Sequence, residues 1–457
     1  MRMSKISSWL SGYRPWMVVC ATTLVLLGGL SRSNNQYEIS VTTSKFQKPV
    51  RLPYKGYGYP PVLAYWICGT NGDSKKILRL LKAIYHPRNQ YLLQLDAGSS
   101  EYERAELAVS VESESVFQAF GNVNVEGKSY AVNRMGSSAL AATLHAAALL
   151  LKINTDWDWF ITLSASDYPL MSQDDLLHAF TFLPRDLNFI DYTSNAGWKE
   201  CTKSSKQLQI NIIVSNQIFY TGAVDDRATS SPLCYLFASS LMEILREEIN
   251  RIVVDPNLYY QRNTPIYYAV ETRKPDAFKI FGGSPWVIVS RFFMEYCVQG
   301  WDNIPRKLLM YFTNVAYPLE TYFHTVICSS PEFQNTTLDN DLRYIIWRTP
   351  RQGEPENLST SHYDEMVASA AAFAQPIGEG DPLLNKIDED VLNRLPHKIV
   401  PGSWAICQGR NESMRGEELC STWGDIDAVK PGPKGIKLAA LLSKLVAERR
   451  LPPSQCH

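Results

Sequence analysis

The stretch Asp156 to Leu170, DWDWFITLSASDYPL, constrains this chain more than any other. Its apolar run from Trp157 to Leu163 is strand length, which predicts a strand buried on both faces of a largely parallel sheet. The run then breaks into Ser164-Ala165-Ser166, Asp167 and Pro169. In an open α/β sheet, ligands sit in the crevice beyond the carboxyl ends of the strands. Ser166 and Asp167 therefore stand where a sugar or nucleotide would be held. The same residues also fit a polar turn, because Ser172-Gln173-Asp174-Asp175 is a good helix start.

Upstream, Val62 to Ile67 is a buried-strand pattern that ends in Gly69-Thr70-Asn71-Gly72. Asp73 stands ready to cap a helix whose Ile77, Leu80, Leu81 and Ile84 share one face. His86-Pro87 stops that helix, and Tyr91 to Leu95 forms the next strand, ending at Asp96. Strand, helix and strand in this span make a βαβ unit. The Gly69–Gly72 loop lacks the spacing of a Walker or dinucleotide fingerprint, so it reads first as a turn and second as a backbone approach to a diphosphate. Further helices are expected over Ser137–Lys152, Asp381–Leu395 and Ile436–Arg449, and strands over Asn188–Asp191, Val287–Ser290 and Tyr344–Trp347. The expected fold is one α/β catalytic domain over 61–457, with a mixed, mostly parallel sheet.

A net charge of −1 and a pI near 6.7 give no electrostatic case for nucleic acid. The 24 Tyr and 11 Trp suit a core and also the C–H faces of sugars. Residues 1–15 carry Arg2, Lys5 and Arg14 ahead of an uncharged run at 16–30. This run fits a signal-anchor, with a cleaved signal peptide as the competing reading, and 31–60 reads as a stem. Of the nine cysteines, Cys407 and Cys420 bracket a polar loop and are the preferred disulfide pair. Sequons at Asn335, Asn357 and Asn411 fit glycosylation in an oxidising lumen.

Metal-dependent sugar transfer often uses an Asp-x-Asp at a strand's carboxyl end. Asp156-Trp157-Asp158 and Asp339-Asn340-Asp341 have that spacing, but each precedes its expected strand. Both are rejected as metal sites. His145 and His324 sit among apolar neighbours and read as core histidines.

Four stretches resemble a known family: LAYWICGTNGDSKKILRLLKAIYHPRNQYLLQLD, DWDWFITLSASDYPL, SPWVIVSRFFMEYCVQGWDNIPRKLLMYFTN and ETYFHTVIC. The chain resembles the core-2/I-branching glycosyltransferases (glycosyltransferase family 14), in the plant branch that looks like the β-glucuronosyltransferases. The resemblance implies an A-type glycosyltransferase fold on a Golgi type II membrane protein. It also implies inverting, metal-independent transfer of glucuronic acid from its UDP donor to galactan side chains of arabinogalactan proteins. Glu320 matches the family's catalytic base. Gly69, Thr70, Asn71, Gly72, Asp96, Ser166 and Asp167 would hold the nucleotide-sugar. Trp198, Gly283, Ser284, Trp286 and Trp347 would line the acceptor and sugar site. UDP-N-acetylglucosamine or UDP-xylose as donor, or an inactive glycan-binding protein, are the alternatives.

Departures from the family pattern accompany the match. Leu319 and Thr321 replace Pro and Gly beside Glu320. Residues 208–249 match nothing in the family, as a subdomain or a gene-model error. Gln375-Pro376 stands where relatives carry a basic pair that binds the diphosphate. Losing one such contact costs on the order of 3 kcal/mol, so weak activity is expected.

Overall fold

In the computed structural model, residues 52–56, 58–154, 156–191, 213–214, 217–218, 249–259, 263–273, 277–346, 355–406 and 422–448 are described. They begin with the expected βαβ unit: β1 (Leu63–Gly69), α1 (Ser74–Ala83) and β2 (Gln90–Leu95). Next come α2 (Glu101–Ser113), β3 (Val123–Val125), α3 (Ser137–Ile153), β4 (Trp159–Ser164) and β5 (Tyr168–Pro169). α4 (Gln173–Thr181), β6 (Asn188–Phe189), and the hairpin of β7 (Ile249–Val254) and β8 (Tyr267–Arg273) follow. The remainder holds β9 (Ile288–Ser290), α5 (Arg291–Gln299), α6 (Asn303–Phe312), α7 (Tyr322–Ser329) and β10 (Thr337–Leu338). It closes with β11 (Arg343–Tyr344), β12 (Phe373–Ala374), α8 (Pro382–Asp390) and α9 (Pro433–Glu448).

The main sheet has seven strands in the order β10-β6-β9-β4-β1-β2-β3. Every neighbouring pair is parallel except those made by β9, which runs antiparallel to β4 and β6. The mostly parallel sheet expected from the sequence is therefore present. Alternate residues sort to its two faces. Leu63, Tyr65, Ile67, Trp159, Ile161 and Leu163 join the core beneath α1, α4, α8 and α9. Ala64, Trp66 and Phe160 join the core beneath α3, α5, α6 and α7. With a packed face on each side, β4 is apolar throughout, as its sequence predicts.

A smaller three-stranded sheet, β11-β12-β5, lies beyond the end of β4. The strand expected over Tyr344–Trp347 is instead Arg343–Tyr344, and Trp347 lies outside the described residues. Most of the 208–249 stretch does too, as do the signal-anchor run at 16–30 and residues 31–51 of the expected stem, whereas its residues 52–56 and 58–60 are described. Among the described residues no helix is long and apolar enough to cross a membrane.

Two expectations are corrected. Asp73 occupies the N-cap position of α1, but its side chain does not cap that helix. It turns back to accept from Thr70 N at 2.8 Å and Thr70 Oγ1 at 3.0 Å, while Glu103 Oε1 accepts from Ser74 N at 3.2 Å. His145 is not a core residue, because its ring is half-exposed and lies 3.1 Å from Glu126.

Candidate active site

Glu320 ends a 3-10 turn, Pro318–Glu320, just before helix α7, which is buried from Tyr322 to Cys328. Three contacts clamp the turn. Tyr317 enters it with φ at 53° and donates its N–H to Met135 O at 3.0 Å. Glu320 O accepts from Gly283 N at 2.8 Å, and Thr321 N bonds Pro318 O at 3.2 Å. The Thr321 hydroxyl also reaches Pro318 O at 3.3 Å. The φ of −132° at Thr321 is one that a threonine adopts without strain. The Glu320 side chain is 15% exposed, with Arg134 at 3.7 Å.

Gly283 holds the neighbouring wall. A Cβ on it would lie 1.9 Å from Asp191 O, so only glycine fits. Ser284 N donates to Asp191 O at 3.0 Å, and Ser284 Oγ donates to Asp341 Oδ2 at 2.7 Å. His324, buried as expected, places Nε2 3.1 Å from Asp191 O, and desolvation lowers its basicity to about 4. Desolvation, then the Asp341 and Asp339 carboxylates, raise the Asp191 carboxyl to about 6.

That cluster corrects the rejection argument for Asp339-Asn340-Asp341. The triplet directly follows β10, so it lies at the ligand edge of the sheet. Asp341 is nevertheless committed to Ser284 and to the Arg343 backbone N–H at 3.1 Å. Asp158 does lie at the opposite edge, accepting from Val62 N beside the start of β1. Among the described residues no group of three or more His, Cys, Asp or Glu side chains is arranged to hold a metal ion.

The loop after β4 folds around Asp167. Its Oδ2 accepts from Ser164 N at 2.7 Å and Ser164 Oγ at 2.6 Å, and Ser164 Oγ lies 2.9 Å from Ser166 Oγ. Arg343 Nε donates to Asp167 Oδ1 at 3.4 Å, with both side chains fully buried. Burial pushes the Asp167 carboxyl up, and the Arg343 guanidinium opposes the rise. That guanidinium lies over the Trp286 ring at 5.3 Å. The Gln375 amide satisfies its neighbours when its nitrogen donates to Asp167 Oδ2 at 3.2 Å and its oxygen accepts from Trp286 Nε1. Sequence reasoning missed Arg343, whose partners come from three separate segments.

On the β1–β2 side, Asp96 is buried. Its Oδ1 accepts from Gly98 N at 3.0 Å and its Oδ2 from Asn263 Nδ2 at 3.1 Å. In the Gly69–Gly72 loop, Gly72 N donates to Glu103 Oε1 at 2.9 Å. Asn335 and Asn357 are exposed, and Cys328 is disulfide-bonded. Trp198, Asn411, Cys407 and Cys420 lie outside the described residues.

The structure thus joins Glu320, Gly283, Ser284, Trp286 and Asp167 in one bonded network, and sets Asp96 and the Gly69–Gly72 loop along the same sheet edge. The sequence profile described as Core-2/I-Branching enzyme matches residues 63–367. The chain is 40% identical to Beta-glucuronosyltransferase GlcAT14A of Arabidopsis thaliana, over 87% of this chain and 78% of that one. It is 40% identical to GlcAT14C of the same plant over the full length of both. Xylosyltransferase 1 of Rattus norvegicus is 28% identical over 70% of this chain and 31% of its own. This chain is a glycosyltransferase and belongs to the Core-2/I-Branching enzyme family.

Proposed function

We propose that this enzyme transfers glucuronic acid from UDP-glucuronic acid to galactan side chains of arabinogalactan proteins, inverting the anomeric centre without a metal ion. The donor reading rests on the similarity, at 40% identity, to the Arabidopsis beta-glucuronosyltransferases. The observation that carries the mechanism is the clamped, mostly buried Glu320 beside the Gly283–Trp286 wall.

In this mechanism Glu320 removes the proton from the acceptor hydroxyl as its oxygen attacks the anomeric carbon. The bond to the diphosphate breaks, and UDP leaves with the electron pair. Trp286 and Ser284 line the sugar, while Asp96 and the Gly69–Gly72 loop hold the nucleotide. Nearby cations meet the charge on the leaving group. The Cys328 disulfide and the exposed sequons at Asn335 and Asn357 favour an oxidising compartment. They support a luminal catalytic domain on a Golgi anchor. A second donor, UDP-xylose, is favoured by the xylosyltransferase similarity.

The test is turnover against UDP-glucuronic acid, UDP-xylose and UDP-N-acetylglucosamine, with a galacto-oligosaccharide acceptor, in EDTA. Preferred use of UDP-glucuronic acid with undiminished rate in EDTA is expected. Preference for another donor overturns the donor assignment, and a strict Mn²⁺ requirement overturns the metal-independent one.

A further inference from the structure

Where β4 ends, a cleft of about 240 Å³ opens between Lys75, Lys76 and Arg79 of α1 and the Gly378–Gly380 loop, over Ser166 and Asp167. It adjoins the nucleotide loop. A Cβ on Gly69 would lie 2.8 Å from the Asp73 Cβ and 3.4 Å from the Ala165 Cβ, so the end of β1, the start of α1 and the β4 loop meet there.

Positive charge is in excess along this cleft. Arg79, which lines the cleft, shares the buried Asp388 with the buried Arg394, each at 2.7 Å, so two guanidiniums meet one carboxylate. Lys76 is paired with Asp73 at 2.8 Å. Lys75 is exposed and has no ion pair among the described residues. On the acidic side, Asp167 is already held by Arg343, which leaves Glu379, exposed on the opposite wall. Desolvation first, then Arg79 and Arg394, lower the basicity of His397 at the cleft, with Asp388 opposing them.

Other sources of charge for a diphosphate are depleted here. The Thr70 and Gly72 N–H groups are taken by the carboxylates of Asp73 and Glu103. Position 375 offers a neutral amide engaged with Asp167 and Trp286, and position 376 a proline. We propose that Lys75 and Lys76 bind the donor's diphosphate in this cleft. The assignment rests on the nucleotide-sugar reading above.

The test compares the intact chain with Lys75→Ala/Lys76→Ala by calorimetric titration of UDP and of uridine, with thermal melting as the folding check. The double variant should weaken UDP binding by about tenfold or more, the size of lost hydrogen bonds to a charged group, and leave uridine binding unchanged. Lys75→Arg/Lys76→Arg should retain UDP affinity. If UDP affinity in the double alanine variant stays within about twofold of the intact chain, or UDP and uridine weaken equally, the assignment is overturned. An intact chain that transfers sugar while the double variant binds UDP normally overturns this assignment alone. Failure of the intact chain to bind UDP overturns both readings.

Discussion

Asp191 shows how a single residue reports on the site. Its folded-state pKa of about 6 lies above the ordinary carboxyl value, because desolvation and the Asp341 and Asp339 carboxylates disfavour the charge. Between these two values the folded chain keeps a proton that the unfolded chain has lost, so stability falls as pH rises through that window. Denaturation from pH 4 to 6 should show this fall in the wild type and not in Asp191→Asn. Equal slopes would contradict the assignment. Gly283 sets a stricter demand, since a methyl group there meets Asp191 O at 1.9 Å. Gly283→Ala should cost about 1–3 kcal/mol of stability, as overpacking does, and should lower turnover. Unchanged urea denaturation would argue against the close approach. Neither role was legible in the sequence, which gives residue identities but not the backbone oxygen that fills the space beside a glycine.

Among elements, legibility followed length and periodicity. β1, α1, β2, α3 and β4 each carry enough apolar residues to declare a face, and the structure has them within a few positions of expectation. β10 is two residues long and has no period to read, which is why Asp339-Asn340-Asp341 was placed at the wrong sheet edge. α2 was missed because Glu103, Leu107 and Val111 are its only buried residues. One of these, Glu103, joins two elements by accepting from the Gly72 and Ser74 N–H groups at the start of α1. Glu103→Ala would strand those donors and should cost about 1–3 kcal/mol, whereas Glu103→Gln keeps an acceptor. Urea denaturation of the two variants tests this, and equal stabilities would contradict it.

At the scale of the whole molecule, the sheet carries a packed helical layer on each face and leaves its carboxyl edge for chemistry. The C-terminal helix belongs to one of those layers. α9 buries Leu438 and Leu442, and Asp175 of α4 accepts from Gly432 N at 2.6 Å and Gly435 N at 3.0 Å. Leu438→Ala should therefore cost about 2–5 kcal/mol, although the residue is distant in sequence from the site. A loss under about 1 kcal/mol, at the bottom of the range for ordinary mutations, would show that α9 is peripheral. The network from Glu320 through Gly283, Ser284, Asp341 and Arg343 to Asp167 spans four sheet-edge segments. It ties the backbone of the Glu320 turn to the Gly283–Ser284 wall and the Asp167 loop. The most direct test of this account is the transfer rate of Glu320→Gln measured beside its UDP affinity. Loss of proton abstraction should lower turnover by about 10²–10⁴-fold while UDP binding and thermal stability stay at wild-type values. A variant that keeps a tenth of wild-type turnover or more would contradict it.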